Sequence, residues 1–250
     1  MKILHLFSSK VFAGLERHIE ELSFEQSKNH EVVVIGPERF KHKFRADYTT
    51  INTNQWRYSP LLWLELRDAM ARINPEVVHT HGQKMTNFIK ADLHFSTIHG
   101  TKKNVAAFKK TQFIFGASKK SLEQIPRQKS MVLENWVDES RFINFEQKPP
   151  EYFLYIGRFE PVKNPERLIR AWNPEYGKLL MVGSGQLEKD LIVLIKQLGL
   201  TNTIELHSEI DDVGSLLSKA HALIISSDRE GSPKVLYEAL YCKVPVLSTD

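Results

Sequence analysis

The sequence predicts a parallel α/β protein of two lobes. Three observations carry that expectation. Short apolar runs alternate with stretches of helical periodicity along all 250 residues, which is the pattern of βα units. A Gln147-Lys148-Pro149-Pro150 step interrupts the alternation, and a Pro-Pro pair favours an extended linker over a helix interior or a central strand. After that step the alternation starts again. Domains are therefore expected at 1–148 and 149–250, with an active-site cleft between them.

In the first lobe the strands are read at Ile3–Phe7, Val32–Ile35, Tyr48–Ile51, Val77–Thr80, Phe95–Ile98, Phe113–Phe115 and Met131–Leu133. Most are short apolar runs, as expected of strands buried on both faces. Helices are read at Gly14–Ser27, Leu61–Ile73 and Lys119–Gln124. In the second lobe strands at Tyr152–Ile156, Lys178–Val182, Thr203–Leu206, Ala222–Ser226 and Val244–Ser248 alternate with helices at Pro165–Trp172, Leu187–Leu198, Val213–Ser218 and Pro233–Tyr241.

A hydrophobic fraction of 42% supports real cores. No apolar run approaches the roughly 18 residues that would span a membrane. The opening Met1-Lys2-Ile3-Leu4-His5-Leu6-Phe7 lacks the features of a signal peptide. The single cysteine, Cys242, excludes an internal disulfide framework, suits a reducing cytoplasm and reads as a core residue. Charge is uneven: 23 Lys+Arg face 16 Asp+Glu in residues 1–148, against 11 and 14 in 149–250. The basic clusters are Arg39, Lys41, Lys43 and Arg45; Lys102, Lys103, Lys109 and Lys110; and Lys119 with Lys120. A solvated surface explains them, as does affinity for an anionic membrane surface or a phosphorylated acceptor. Nucleic acid is not expected, because no aromatic interleaving or binding motif accompanies them.

The most informative stretch is Ser226-Ser227-Asp228-Arg229-Glu230-Gly231-Ser232-Pro233-Lys234-Val235-Leu236-Tyr237-Glu238. It puts Glu230 in a loop at the carboxyl end of a strand and Glu238 in the first turns of the next helix. Ligands bind at that end of open α/β sheets. Ser232 is read as the N-cap and Pro233 as the first helical residue. The amides around Gly231 and Ser232, with the helix dipole, would attract a diphosphate. Glu238 is placed off the buried stripe of Val235, Leu236, Ala239 and Leu240, where its carboxylate would suit a sugar diol. The plainer reading is a capped surface helix with a Lys234–Glu238 pair.

Gly157-Arg158-Phe159-Glu160-Pro161-Val162-Lys163-Asn164 follows the second lobe's first strand. Arg158 and Lys163 there would neutralise a leaving diphosphate, or are two surface charges. Gly183-Ser184-Gly185 lacks the third glycine of a dinucleotide fingerprint and is read as a tight turn. Gly14 opens a helix after the first strand and could let backbone approach a ligand, or is a turn glycine. His79, His81 and His99 end two neighbouring strands. No Cys or carboxylate stands at ligand spacing, so no metal is expected. His99 suits a polar contact to substrate. No Asp-x-Asp, Gly-x-Ser-x-Gly or Walker loop occurs.

Taken together, the chain resembles a GT-B glycosyltransferase of retaining family 4, the kind that builds bacterial surface polysaccharide and lipopolysaccharide core. Gly157-Arg158-Phe159 through Lys163-Asn164-Pro165 and Glu230-Gly231-Ser232-Pro233 through Glu238-Ala239 carry the resemblance. Gly14-Leu15-Glu16-Arg17-His18, Val77–Gly82, Thr97–Gly100 and Leu133–Asp138 are lesser echoes. The resemblance implies two Rossmann-like lobes. Arg158 and Lys163 would hold the diphosphate of a UDP-, GDP- or ADP-linked sugar, with Gly14, Pro233, Lys234 and Val235 lining the donor. Glu238 would bind the ribose. Glu230, with the amides of Gly231 and Ser232, would hold the transferred sugar, which His99 also contacts. The expected acceptor is a glycan or lipid-linked sugar at the inner face of the cytoplasmic membrane, and the reaction needs no metal or other cofactor.

Three features depart from the family. Ala13 and Trp136 replace glycines, and the family's final glycine-rich segment, strand and helices do not follow Asp250. The second lobe is thus expected to be either compact or incomplete, with Val244–Ser248 as an exposed edge. The competing readings are a catalytically inactive nucleotide-sugar-binding subunit and a non-transferring nucleotide-sugar epimerase.

Overall fold

The computed structural model describes residues 1–100, 104–208 and 212–249. It divides into two compact units, Met1–Asn135 and Trp136–Asp250. The first contains β1 (Lys2–Phe7), β2 (Glu31–Gly36), β3 (Asp47–Thr50), β4 (Val77–His81), β5 (His94–Ile98), β6 (Phe113–Gly116) and β7 (Ser130–Val132). They form one sheet in the order β3-β2-β1-β4-β5-β6-β7, every neighbouring pair parallel. The helices are α1 (Gly14–Ser27), α2 (Pro60–Ile73) and α3 (Gln83–Phe88).

Local chemistry explains the helix starts. At α2 the Ser59 hydroxyl accepts from Leu62 N at 3.2 Å and Pro60 takes the first helical position. At α1 the capping residue is Ala13, and Glu16 reaches back to accept from its N–H at 2.7 Å.

The second unit holds β8 (Tyr152–Ile156), β9 (Leu179–Val182), β10 (Ile204–His207), β11 (Ala220–Ile225) and β12 (Val246–Ser248), with α4 (Pro165–Ala171), α5 (Glu188–Gln197), α6 (Val213–Ser218) and α7 (Lys234–Tyr241). The sheet order is β10-β9-β8-β11-β12, again all parallel. Alternation along the strands builds a core on each face. Leu154, Leu180 and Leu223 join one cluster, while Tyr155, Leu179 and Met181 join the other.

Both sheets change direction beside their first strand. The chain winds outward from β1 through β2, then returns to β1's other side with β4; β8 stands likewise between β9 and β11. The loops that leave these central strands flank the position where open α/β sheets bind ligands.

The units part between Asn135 and Trp136, ahead of the expected 148/149 boundary. The physical reason is packing: Val137, Phe142 and Phe145 join the second core, and Lys148 N donates to Ser218 O at 2.8 Å. The Pro149-Pro150 step is thus an extended segment inside the second unit. Lys119–Gln124 is a short 3-10 turn, Lys119–Leu122, and α3 was not foreseen because Gln-Lys-Met-Thr-Asn-Phe carries no apolar period. β12 pairs with β11 at the sheet edge, and Leu247 there is 55% exposed. Among the described residues no helix is long and apolar enough to cross a membrane. Lys102, Lys103 and Asp250 lie outside the described residues.

Candidate functional site

In the second unit the loops after β8 and β11 run side by side and are laced together. Asp228 N donates to Val162 O at 3.0 Å, Ser226 Oγ to Lys163 O at 3.0 Å, and Asn164 Nδ2 to Asp228 Oδ1 at 2.8 Å. The lacing brings Lys163 Nζ to 2.5 Å from Glu230 Oε1, and the Ser227 hydroxyl donates to the same oxygen at 2.5 Å. Arg158 pairs with Glu160 at 2.8 Å on the outer part of the same loop. The two cations and the first glutamate singled out from the sequence therefore share one sheet edge. A surface pocket of ≈ 590 Å³ lies beside them, lined by Glu160, Pro161, Val162, Gln186, Asp228 and Arg229.

The start of α7 differs from expectation. Pro233 is itself the capping residue, with ψ 122°, so the helix begins at Lys234, one residue late. Ser232 makes no cap; its hydroxyl donates to the Tyr237 hydroxyl at 3.0 Å. Lys234 is buried, not a surface charge: its Nζ donates to Trp136 O at 2.7 Å and sits 5.2 Å from the centre of the Trp136 ring. Glu238 is also buried, and Arg141 Nη1 donates to its Oε1 at 2.5 Å. The predicted apolar stripe holds at Ala239, with Val235 and Leu236 partly buried on the core, but Leu240 is 59% exposed. Gly231 and Val235 stay with Glu230 and Glu238 on this loop-to-helix turn.

Arg141, Trp136, Ser227 and Asn164 were not read from the sequence as site residues. Trp136 lies in an irregular segment and Arg141 in the short 3-10 turn Glu139–Phe142, where no periodicity marks a side chain as inward-facing.

The Gly183-Ser184-Gly185 turn shapes the Arg158 loop from below. Gly183 and Gly185 have φ of 153° and 157°, and a Cβ on Gly185 would lie 2.4 Å from Phe159 O. Phe159 N in turn donates to Ser184 O at 2.8 Å. Gly185→Ala is therefore expected to destabilise the second unit by about 1–3 kcal/mol and displace the Arg158 loop. Urea unfolding of the variant, with unchanged stability as the contrary result, checks this.

In the first unit, Gly14 opens α1 beside the end of β1, and His99 follows β5. His99 belongs to a group the sequence displayed only in part. His5, His79 and His81 are buried on neighbouring strands, with His5 opposite His79 in the register. His5 Nδ1 lies 3.0 Å from His81 Nε2, and His81 Nδ1 lies 3.1 Å from His99 Nε2. His79 Nε2 meets Thr97 Oγ1 at 2.7 Å. Burial keeps His5 neutral, lowering its pKa to about 4. Burial first, and the neighbouring imidazoles second, hold His79 and His81 well below the usual histidine range. The ring nitrogens of His5, His79 and His81, and separately of His18, His81 and His99, fall within 4.8 Å of one another. That is the closeness a metal site requires, and the His5–His81 and His81–His99 contacts are also within hydrogen-bond distance.

Comparison with known proteins agrees with this architecture. The family described as "Glycosyl transferases group 1" matches residues 137–250. The chain is 33% identical over 102 residues to the Campylobacter jejuni GalNAc-alpha-(1->4)-GalNAc-alpha-(1->3)-diNAcBac-PP-undecaprenol alpha-1,4-N-acetyl-D-galactosaminyltransferase, covering 38% of this chain and 28% of that protein. It is 30% identical over 158 residues to the N-acetylgalactosamine-N,N'-diacetylbacillosaminyl-diphospho-undecaprenol 4-alpha-N-acetylgalactosaminyltransferase of the same organism, covering 57% and 42%. The chain thus spans less than half the length of either relative. Among solved structures it is similar to Anabaena Alr3699/HepE in complex with UDP and glucose, with a TM-score of 0.82, 18% identity, and 99% of this chain against 80% of that one. The fold is the GT-B fold of two Rossmann-like units.

Proposed function

We propose that this chain is a retaining glycosyltransferase of family 4 that moves a sugar from a nucleotide sugar to a glycan or lipid-linked acceptor in bacterial surface-polysaccharide synthesis. The observation that carries the reading is the pairing of two loops at the second sheet's change of direction. One brings Arg158 and Lys163; the other brings Glu230 and leads into α7, which bears Glu238. The relatives' names support the same chemistry, since both Campylobacter proteins are named as sugar transferases acting on undecaprenol-linked saccharides. The similar Anabaena structure holds UDP and glucose, which makes UDP-glucose the first donor to try.

In this reading Lys163 exchanges Glu230 for the donor's diphosphate, and Arg158 joins it with its forked guanidinium. Gly231, Ser232, Pro233, Lys234 and Val235 surround the phosphates at the positive end of α7. Glu230, released, accepts hydrogen bonds from the transferred sugar. Glu238 takes the ribose diol. The bond from the anomeric carbon to the phosphate oxygen breaks while the acceptor oxygen bonds to that carbon on the same face. The acceptor's proton passes to the departing phosphate. Lys163 and Arg158 stabilise the charge that develops there.

Transfer from UDP, GDP, ADP and CMP sugars, preceded by a thermal-shift panel of the same compounds, tests the reading. Arg158→Ala, Lys163→Ala and Glu230→Ala are each expected to lower kcat/KM by on the order of 100-fold. Nucleotide binding without turnover would identify an accessory subunit, and product formed without acceptor would identify an epimerase.

A location at the inner face of the cytoplasmic membrane fits this acceptor. The surface that favours it is the turn into α2, where Trp56, Tyr58, Leu61 and Trp63 are 50–69% exposed beside the exposed Arg57. Aromatic residues with adjacent cations suit the membrane interface. Trp56→Ser with Trp63→Ser is expected to weaken sedimentation with phosphatidylglycerol vesicles about tenfold. Equal binding by the variant, or no binding by the parent chain, would remove the proposal.

A further inference from the structure

The first sheet changes direction at β1, which stands between β2 and β4. The loops that leave β1 and β4 therefore flank that unit's own ligand position. The loop after β3 joins the two. Ser8 Oγ, just past β1, donates to Thr53 O at 2.8 Å, and Lys84 Nζ, on α3 just past β4, donates to the same oxygen at 2.6 Å. Lys84 also donates to Gln55 O. An ammonium has three donors, so one N–H of Lys84 remains for a ligand at this edge.

Lys84 is half-buried, and the groups it touches are neutral backbone carbonyls. Two positions beyond Gln55 stands the exposed Arg57. Among the described residues neither cation has a carboxylate partner. The carboxylate that meets this loop, Glu65, accepts instead from Gln55 Nε2 at 3.0 Å. The two cations repel one another: burial first, and Arg57 second, lower the Lys84 pKa. An anion bound by both would offset that repulsion.

Apolar surface adjoins the pair. Trp56 and Tyr58 bracket Arg57 in the chain, both exposed, with ring centroids 5.0 Å apart. A soluble anion gains nothing from such neighbours, whereas a phosphate on an apolar chain does.

We propose that Arg57 and Lys84 form a phosphate site in the first unit, and that its ligand is a diphosphate joined to a long apolar chain that lies against Trp56 and Tyr58. The inference rests on the glycosyltransferase reading in one respect: it makes that ligand the carrier of the acceptor sugar. The forked guanidinium of Arg57 and the remaining N–H of Lys84 hold the phosphate oxygens.

Sedimentation with phosphatidylcholine vesicles that carry undecaprenyl diphosphate tests the site without any nucleotide sugar. The parent chain should bind them and should not bind vesicles that carry undecaprenol. Arg57→Gln is expected to weaken binding about tenfold, the equivalent of one hydrogen bond between charged groups, and Arg57→Lys to keep most of it. Arg57 touches nothing that the fold needs, so this comparison stands even if Lys84→Met, expected to have a similar effect, loosens the loop it clasps. Unchanged binding by Arg57→Gln would overturn the proposal. So would equal binding to vesicles that carry the same amount of phosphatidylglycerol, which would show a general attraction to anionic lipid. Inorganic diphosphate that binds as tightly as the lipid would make the ligand a soluble phosphate and would also overturn it. A parent chain that binds the lipid diphosphate yet transfers no sugar would refute the glycosyltransferase reading and leave the site standing. One that transfers sugar but does not bind the lipid diphosphate would keep that reading and remove the site.

Discussion

Glu238→Ala is expected to destabilise the second unit by roughly 3–5 kcal/mol as well as to remove nucleotide binding. The first effect comes from Arg141. In the folded unit its side chain is 16% exposed and that of Glu238 is 5% exposed, with Nη1 and Oε1 2.5 Å apart. Deleting the carboxylate removes the counter-charge that Glu238 supplies to an enclosed guanidinium, and the penalty is the desolvation of that charge. The second effect follows from the proposed role at the ribose. A single variant confounds the two, because an unstable α7 would also bind nucleotide poorly.

The double replacement Arg141→Met with Glu238→Met separates them. Two apolar side chains of similar length fill the same volume, and replacing a buried pair in this way is often neutral or stabilising. The expected result is a urea midpoint near that of the parent protein, with the thermal shift by UDP still missing. If the double variant regained both stability and nucleotide binding, Glu238 would act only as Arg141's partner and would leave the donor site. A stable Glu238→Ala variant would show that the ion pair contributes little.

These variants also mark the limit of what the sequence displays. The strands were legible because parallel sheets are covered on both faces: all four residues of β9 are buried, and the run reads as apolar without exception. The spacing of Glu230 and Glu238 was legible because both flank a loop-to-helix turn with a glycine and a proline. The partners of those glutamates were not. Arg141 reaches Glu238 across 97 positions of sequence, and Lys163 reaches Glu230 across 67. Nothing local encodes such distances; only the strand order brings the loops together. The start of α7 was misplaced for a different reason. Proline is favoured both at a cap and in the first turn, and the observed ψ of Pro233 decided between them. The histidines lie between these cases: their strand positions were visible, but the link from His5 through His81 to His99 depends on β1 and β4 being neighbours, β4 and β5 being neighbours, and α1 lying above them.

That same cluster predicts a steep loss of stability in mild acid. His5 and His94 have pKa values lowered to about 4 by burial, and those of His79 and His81 are held well below 6.5. A depressed histidine pKa means that the unfolded chain binds protons the folded chain refuses. Stability therefore rises with pH through this range, is fully present above about 6.5, and is lost progressively as pH falls toward 4. Between pH 7.5 and 5.5 each such histidine removes about 1.4 kcal/mol, and four remove about 5 kcal/mol. A domain is typically stable by only about 5–15 kcal/mol, so the first unit should stand close to unfolding at pH 5.5. Carboxylates titrate mostly below this window, which leaves the imidazoles as the cause. Every histidine buried among the described residues belongs to the first unit. Urea titrations at the two pH values should therefore show two transitions, of which the first unit's moves sharply and the second unit's, identified by its shift with bound UDP, moves little. His94→Gln should return about a quarter of the lost stability at pH 5.5. A first-unit midpoint that stayed constant between pH 7.5 and 5.5 would mean that the rings accept protons in the folded state, and their neutrality would not hold.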